Sequence, residues 1–342
     1  MKYLKIDKQK IAGFLDELQK EFRVIAPVKR EGIVLFAEID SGGEALLDFA
    51  NSRQSPKGCF FPQAEALFSY KLVDGQLRIE ESPPQPRRTV IFGMRPCDAK
   101  AISLLDKIFL QGDSEDLNYL RRRENAIILA LGCTHPLSTC FCTSVGGGPF
   151  SKEGADALFV DIGDAYVVEV LTQKGEEVLK DTRFLEAVEE SLKIAEEVKK
   201  KAEALISSEV EAKRVADLNL SEVFESTFWD RIHEKCLGCG ICTYLCPTCS
   251  CFDIVDEKSD SGGERVRIWD TCLFPLYTQQ ASGFNPRPTG KERMRQRVLH
   301  KFKYFADSYG EPSCVGCGRC IVSCPVNLDI RAVINNLVGG EG

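Results

Sequence analysis

Sixteen cysteines punctuate this chain of 342 residues, and one cysteine run occurs twice. The first copy places Cys236, Cys239, Cys242 and Cys246 ahead of Pro247; the second places Cys314, Cys317, Cys320 and Cys324 ahead of Pro325. Both read C-x2-C-x2-C-x3-C-P. That spacing suits thiolate ligation of iron–sulfur cubes: three close cysteines wrap one cluster, and the fourth, before proline, reaches the other cluster. The reading therefore assigns Cys236, Cys239, Cys242 and Cys324 to one [4Fe–4S] cluster. Cys246, Cys314, Cys317 and Cys320 take a second. Zinc also accepts C-x2-C pairs, but two intact copies with the trailing proline favour iron. Gly238, Gly240, Gly316 and Gly318 allow tight turns, so that amide N–H groups can point at sulfur.

Other thiols lie outside the runs. Cys97 and Cys133 each follow a short apolar stretch, Thr89–Met94 and Ala126–Leu131. Cys140 and Cys142 sit in the loop beyond, which ends at Gly146-Gly147-Gly148-Pro149. These four could hold a third cluster; the plainer alternative is a set of buried thiols. A cluster here requires Phe141, between two ligands, to turn away from it. Cys249, Cys251 and Cys272 read as packing around the first cluster, the alternative being a redox-active group, and Cys59 reads as a buried thiol. None of the three histidines, His135, His233 and His300, has a ligand spacing with another. Arg121-Arg122-Arg123 reads as a solvated helix end. No GxGxxG or P-loop pattern is present.

The elements that must position these groups follow from periodicity. TVIFGM and AIILAL are strands, and Ala99–Phe109 is a helix after the first. Strand–helix alternation predicts a largely parallel sheet, with Cys97 and Cys133 at its carboxyl edge. Ile11, Phe14, Leu15 and Leu18 mark an amphipathic helix that Asp7 can cap. Residues 32–39 read as a strand and 64–70 as a helix. Residues 157–162 and 165–170 form a hairpin around Gly163-Asp164. Between Thr182 and Asn219 the composition shifts to Ala, Glu, Lys, Leu and Val, predicting one or two solvated helices. Residues 265–270 read as a strand. A strongly basic helix, 291–308, leads to the second run, and 330–337 is a closing helix.

The expected class is α+β: an α/β domain with a mostly parallel sheet, residues 1–180, a helical linker, 181–220, and a helical ferredoxin-like two-cluster domain, 221–342. Hydrophobic content of 44% and charged content of 28% describe a globular chain. The formal charge of −7 argues against nucleic acid as a partner. Many cysteines without a secretory leader point to a reducing compartment. No apolar run reaches membrane-spanning length. The expected location is cytoplasmic, with no direct membrane insertion.

The chain resembles a known group. Phe60-Phe61-Pro62, Gly93-Met94-Arg95-Pro96-Cys97-Asp98, Cys246-Pro247-Thr248-Cys249-Ser250-Cys251-Phe252-Asp253 and Trp269-Asp270-Thr271-Cys272 carry the likeness. Arg297-Val298-Leu299-His300-Lys301 and the second cysteine run add to it. The chain is similar to the iron–sulfur beta subunit of cytoplasmic sulfhydrogenase-type [NiFe]-hydrogenases and to the A subunit of anaerobic sulfite reductase. The likeness covers nearly the whole length; Asn285-Pro286-Arg287 departs from the Asn-Phe-Arg of the group. It implies a non-catalytic subunit passing electrons between a flavin- and NAD(P)-binding subunit and a catalytic oxidoreductase subunit, hydrogenase or sulfite-reductase-like. Two rivals stand beside it: a catalytic cluster on the N-terminal cysteines acting on a sulfur substrate, and a redox sensor.

Overall fold

The computed structural model describes residues 2–81, 87–112, 114–259 and 261–340. An eight-stranded mixed sheet forms from β1 (Lys2–Asp7), β2 (Arg23–Arg30), β3 (Ile33–Glu38), β6 (Thr89–Met94), β7 (Ala126–Leu131), β8 (Ala157–Asp161), β9 (Ala165–Val170) and β10 (Leu185–Glu186). Its order is β10-β1-β9-β8-β7-β6-β2-β3. The central strands β2, β6, β7 and β8 are parallel, and the outer pairs are antiparallel. β6 and β7 lie side by side in register from Thr89 opposite Ala126, as their apolar runs required.

Both faces of this sheet are covered, so its central strands read as unbroken apolar runs. Alternate residues enter different cores. Val90, Phe92, Ile127 and Leu129 pack with Ile11, Phe14, Leu15 and Leu18 of α1 (Ile11–Leu18). Ile91, Met94, Ile128 and Ala130 pack with Ile102, Leu105 and Phe109 of α2 (Pro96–Phe109). The period of two is broken once. A bulge at Gly93, with φ +78°, sends Met94 to the face opposite Phe92. This irregularity immediately precedes Arg95-Pro96-Cys97. Asp7 does not cap the first helical turn with its side chain; it pairs with Lys10 at 2.8 Å.

Residues 64–70 are not helical. They belong to β4 (Ala64–Val73), which pairs with β5 (Gln76–Glu81) and with β12 (Gly262–Trp269). β11 (Phe252–Ser259) completes a four-stranded antiparallel sheet of order β11-β12-β4-β5. The sequence hid this because β4 takes its partner from some two hundred residues later. Tertiary pairing overrides local propensity in such cases. Trp269 fixes the sheet to the body: its ring stacks on Phe61 at 5.8 Å and its Nε1 donates to the Phe61 carbonyl at 3.1 Å. Arg267, buried, reaches Asp116 and, at 2.5 Å, Glu65.

Arg121-Arg122-Arg123 ends α3 (Leu117–Glu124), but it is not a free solvated end. Arg122 pairs with the buried Glu65 at 2.5 Å, and Arg123 with Asp106 at 3.0 Å. The 182–219 stretch holds one long helix, α4 (Glu189–Ala204), and one short turn of helix after it.

The basic segment before the second run starts as α5 (Gly290–Leu299), with a Thr289/Glu292 capping box. It widens into a π-helical turn, His300–Tyr304, and ends as Phe305–Tyr309. Met294, Val298, Leu299 and Phe302 pack with Ile330, Val333, Ile334 and Leu337 of α6 (Ile330–Gly339). Phe141 and Val145, from the N-terminal cysteine loop, join the same core.

Candidate metal centre

The two cysteine runs adopt the same local fold. Gly238 and Gly240 have φ of +68° and +73°, and Gly316 and Gly318 have +61° and +74°. These left-handed turns leave short helices, Ile241–Tyr244 and Arg319–Val322, bearing the third cysteine of each run. The turn aims an amide at sulfur in both copies. Gly238 N–H donates to Cys236 Sγ at 3.4 Å, and Gly316 N–H to Cys314 Sγ at 3.5 Å.

One small cavity is lined by Cys236, Cys239 and Cys242 together with Cys324 and Pro325 of the other run. Cys246 is elsewhere. Its sulfur accepts from Lys301 Nζ at 3.3 Å, and that ammonium also donates to the Ser313 carbonyl at 3.1 Å, next to Cys314. Thr248 Oγ1 donates to the same carbonyl at 2.8 Å and touches Cys246 Sγ at 3.2 Å. The fourth cysteine of each run thus lies against the partner run. Burial pushes the Cys314 thiol up to about 12.

A separate small cavity is lined by Cys97, Cys133, Cys140 and Cys142. Cys97 opens α2 after β6, and Cys133 follows β7, so the parallel pair delivers both to one edge. The loop carrying Cys140 and Cys142 folds over that edge because it docks on the second run. Phe141 N–H donates to the Gly316 carbonyl at 2.9 Å, and Asn51 Nδ2 donates to the Cys317 carbonyl at 3.1 Å. Phe141 turns away from the cavity into the C-terminal core, as the one-residue spacing demanded. Burial pushes the Cys140 thiol up to about 11 and the Cys142 thiol up to about 12.

Among the described residues, no three His, Cys, Asp or Glu side chains converge tightly enough for a single ion. A lone zinc would draw its sulfurs to about 2.3 Å from one centre, whereas a cube spreads its thiolates over four irons.

The charges around the cysteines were not anticipated from sequence. Lys57, Arg95, Arg297 and Lys301 are only 2%, 5%, 5% and 7% exposed. None of the four forms an ion pair with a carboxylate among the described residues. Arg95 lines the Cys97/Cys133 cavity; its terminal nitrogens donate to the carbonyls of Leu131, Gly132 and Phe49, and its Nε has no hydrogen-bond partner. Arg297 lines the Cys236/Cys324 cavity, and its Nε has no hydrogen-bond partner. Lys57 donates to the Cys249 carbonyl at 2.8 Å and lies 4.1 Å over Trp269. Burial works against the Lys301 charge, yet the surrounding sulfurs of Cys246, Cys249 and Cys314 hold its pKa above the ordinary lysine range. Isolated buried cations cost several kcal/mol each, so this ring of positive charge calls for anions where the thiols converge. Four-thiolate cubes are anionic and fit that demand. The signal was available: Arg297 and Lys301 stand four apart on the face of a helix whose neighbours Val298, Leu299 and Phe302 are apolar.

The remaining candidates separate. Cys249 neighbours Cys246, a cysteine of the second ligand set and not of the first cluster around which packing was expected. Cys251 and Cys272 instead face a different cavity. Cys59 is half-buried against the Ile91 core, and desolvation pushes its thiol up to about 11. His135 is exposed, and His233 bonds to the Trp229 carbonyl at 2.8 Å. Burial, then Lys301 and Arg287, push His300 down to about 4. No helix among the described residues is long and apolar enough to cross a membrane.

Comparison with known proteins agrees with this geometry. Residues 235–328 match the family model of the 4Fe-4S dicluster domain, a span containing both cysteine runs. No solved structure matches the chain. Sulfhydrogenase 2 subunit beta of Pyrococcus furiosus is 32% identical over 352 residues, covering 99% of this chain and 99% of that protein. With paired cysteine runs, crossed ends and a buried cationic surround, this chain belongs to the sulfhydrogenase beta-subunit family, and it is an iron–sulfur electron-transfer subunit.

Proposed function

We propose that the chain carries three [4Fe–4S] clusters in a row and relays single electrons through a hydrogenase-type complex. Cys236, Cys239, Cys242 and Cys324 would hold the first, Cys246, Cys314, Cys317 and Cys320 the second, and Cys97, Cys133, Cys140 and Cys142 the third. The observation that carries this reading is the set of three buried cations without carboxylates, Arg95, Arg297 and Lys301, each placed among those cysteines. When bound, such clusters supply one-electron transfer with no open iron for substrate. The chain's own residues would exclude water, offset negative charge and aim amides at sulfur, the levers that set potential.

The order follows from shared walls. Cys317 also lines the Cys97/Cys133 cavity, and Cys320 also lines the Cys236/Cys324 cavity. The second run therefore sits between the other two sites. Its helix is clamped to α2 by the buried pair Arg319–Asp98, at 2.6 Å. The first site opens outward: Cys239 is exposed, and Leu237 beside it is 69% exposed. We assign that end to a catalytic subunit and the N-terminal end to a flavin and nicotinamide subunit.

The test is a reductive titration of the anaerobically isolated chain. Broad visible absorption should bleach with about three electrons taken up per chain, one for each cube. A chain without bleachable absorption after iron and sulfide reconstitution overturns the reading.

A further inference from the structure

β11 and β12 pair from Phe252 opposite Trp269 to Ser259 opposite Gly262, and the ladder ends where Asp270 N–H donates to the Cys251 carbonyl at 3.0 Å. The open end of this hairpin therefore brings Cys251, just before β11, against Cys272, just after β12. Each thiol shifts the other's titration, and both line one solvent-connected cavity of about 620 Å³. Tyr277, Arg287, Gln296 and the neutral His300 share its wall. Neither thiol belongs to either cysteine run or to the Cys97/Cys133 group.

We propose that Cys251 and Cys272 are a redox-active dithiol that reduces a small molecule containing a disulfide bond. This rests on the relay reading for its reductant. Three polar groups act on the Cys251 sulfur: the Cys272 thiol, the Tyr277 hydroxyl and the Cys272 amide. The Cys272 contact first, then Tyr277, the amide and the Lys301 charge, prevail over burial and pull the Cys251 thiol down to about 6. A thiol with such neighbours at an accessible cavity wall is placed as a nucleophile, not as inert packing.

The Cys251 thiolate attacks one sulfur of the substrate S–S bond. That bond breaks, a mixed disulfide forms at Cys251, and the leaving thiolate takes the proton of Cys272. The Cys272 sulfur then attacks Cys251, forming the Cys251–Cys272 disulfide and releasing the second thiolate, which takes a proton from solvent. Two electrons, delivered singly by the relay, and one proton return the pair to thiolate and thiol. The substrate is reduced to two thiols, with two electrons and two protons consumed in all.

The probe is bis(2-hydroxyethyl) disulfide, added to the full chain isolated anaerobically. Free thiols are then alkylated and the peptides mapped by mass spectrometry, with iron measured on the same samples. The expected product is a Cys251–Cys272 linked peptide at unchanged iron content. Cys272→Ser should trap mercaptoethanol on Cys251, and Cys251→Ser should give neither product. Alkylation of both cysteines after probe treatment overturns the dithiol, as does loss of iron in Cys251→Ser, which would make these residues iron ligands. Link formation needs no electron from the relay, so its failure bears on the dithiol alone, whereas absence of iron from the same samples bears on the relay.

Discussion

The first and second cysteine runs share spacing, glycine turns and an amide-to-sulfur contact, yet they live in opposite surroundings. A side chain at Gly238 would meet nothing closer than the Leu273 carbonyl at 3.6 Å. One at Gly316 would strike the Cys142 nitrogen at 2.5 Å, and one at Gly318 the Thr139 hydroxyl. Cys239 is exposed, but its counterpart Cys317 is buried. Leu237 meets water where Val315 is 2% exposed. The same ligand pattern thus makes a surface terminus in one copy and an interior junction in the other. Motif spacing sets what is bound, and the neighbours set where electrons can go.

The largest effect should come from breaking the crossing between runs. Cys246→Ser should remove about four iron atoms, those held by Cys314, Cys317 and Cys320, and Cys324→Ser those of the first run. Mutant spectra that group Cys246→Ser with Cys236→Ser instead of Cys314→Ser would refute it. Next is Asp98→Ala, which leaves the buried Arg319 guanidinium without its carboxylate. Breaking a buried pair from one side costs about 3–5 kcal/mol, measured as denaturant stability with clusters reconstituted; a loss below 1 kcal/mol would mean that the junction is not clamped there.

Gly316→Ala should then cost more than the roughly 1–2 kcal/mol of left-handed backbone strain alone, because the Cys140/Cys142 loop must also shift. Gly238→Ala should cost only that roughly 1–2 kcal/mol. Equal melting-point losses would erase the distinction between interior and surface copies. The smallest effect on stability is expected for Leu237→Asp, within about 0.5 kcal/mol, with iron unchanged and binding of the co-expressed catalytic subunit lost. Retained binding would place the contact elsewhere.

Much of the fold was legible because buried parallel strands announce themselves. TVIFGM and AIILAL are β6 and β7 to the residue, and their register brings Cys97 and Cys133 to one edge. The ligand runs were legible because cube ligation fixes spacing along the chain. What escaped depends on distant partners. The strand at 64–73 exists because β12 pairs with it. Lys57, Arg95, Arg297 and Lys301 look like ordinary surface cations until tertiary packing buries them around thiols. Cys251 and Cys272 read in sequence as packing or as a redox-active group, and only the hairpin register joins the two over a cavity.

Iron and acid-labile sulfide counted on the anaerobically isolated chain reach the relay most directly. About twelve of each per chain are expected, from three four-iron cubes. Zinc in their place, or iron at a level too low for even the two cysteine runs, would contradict it.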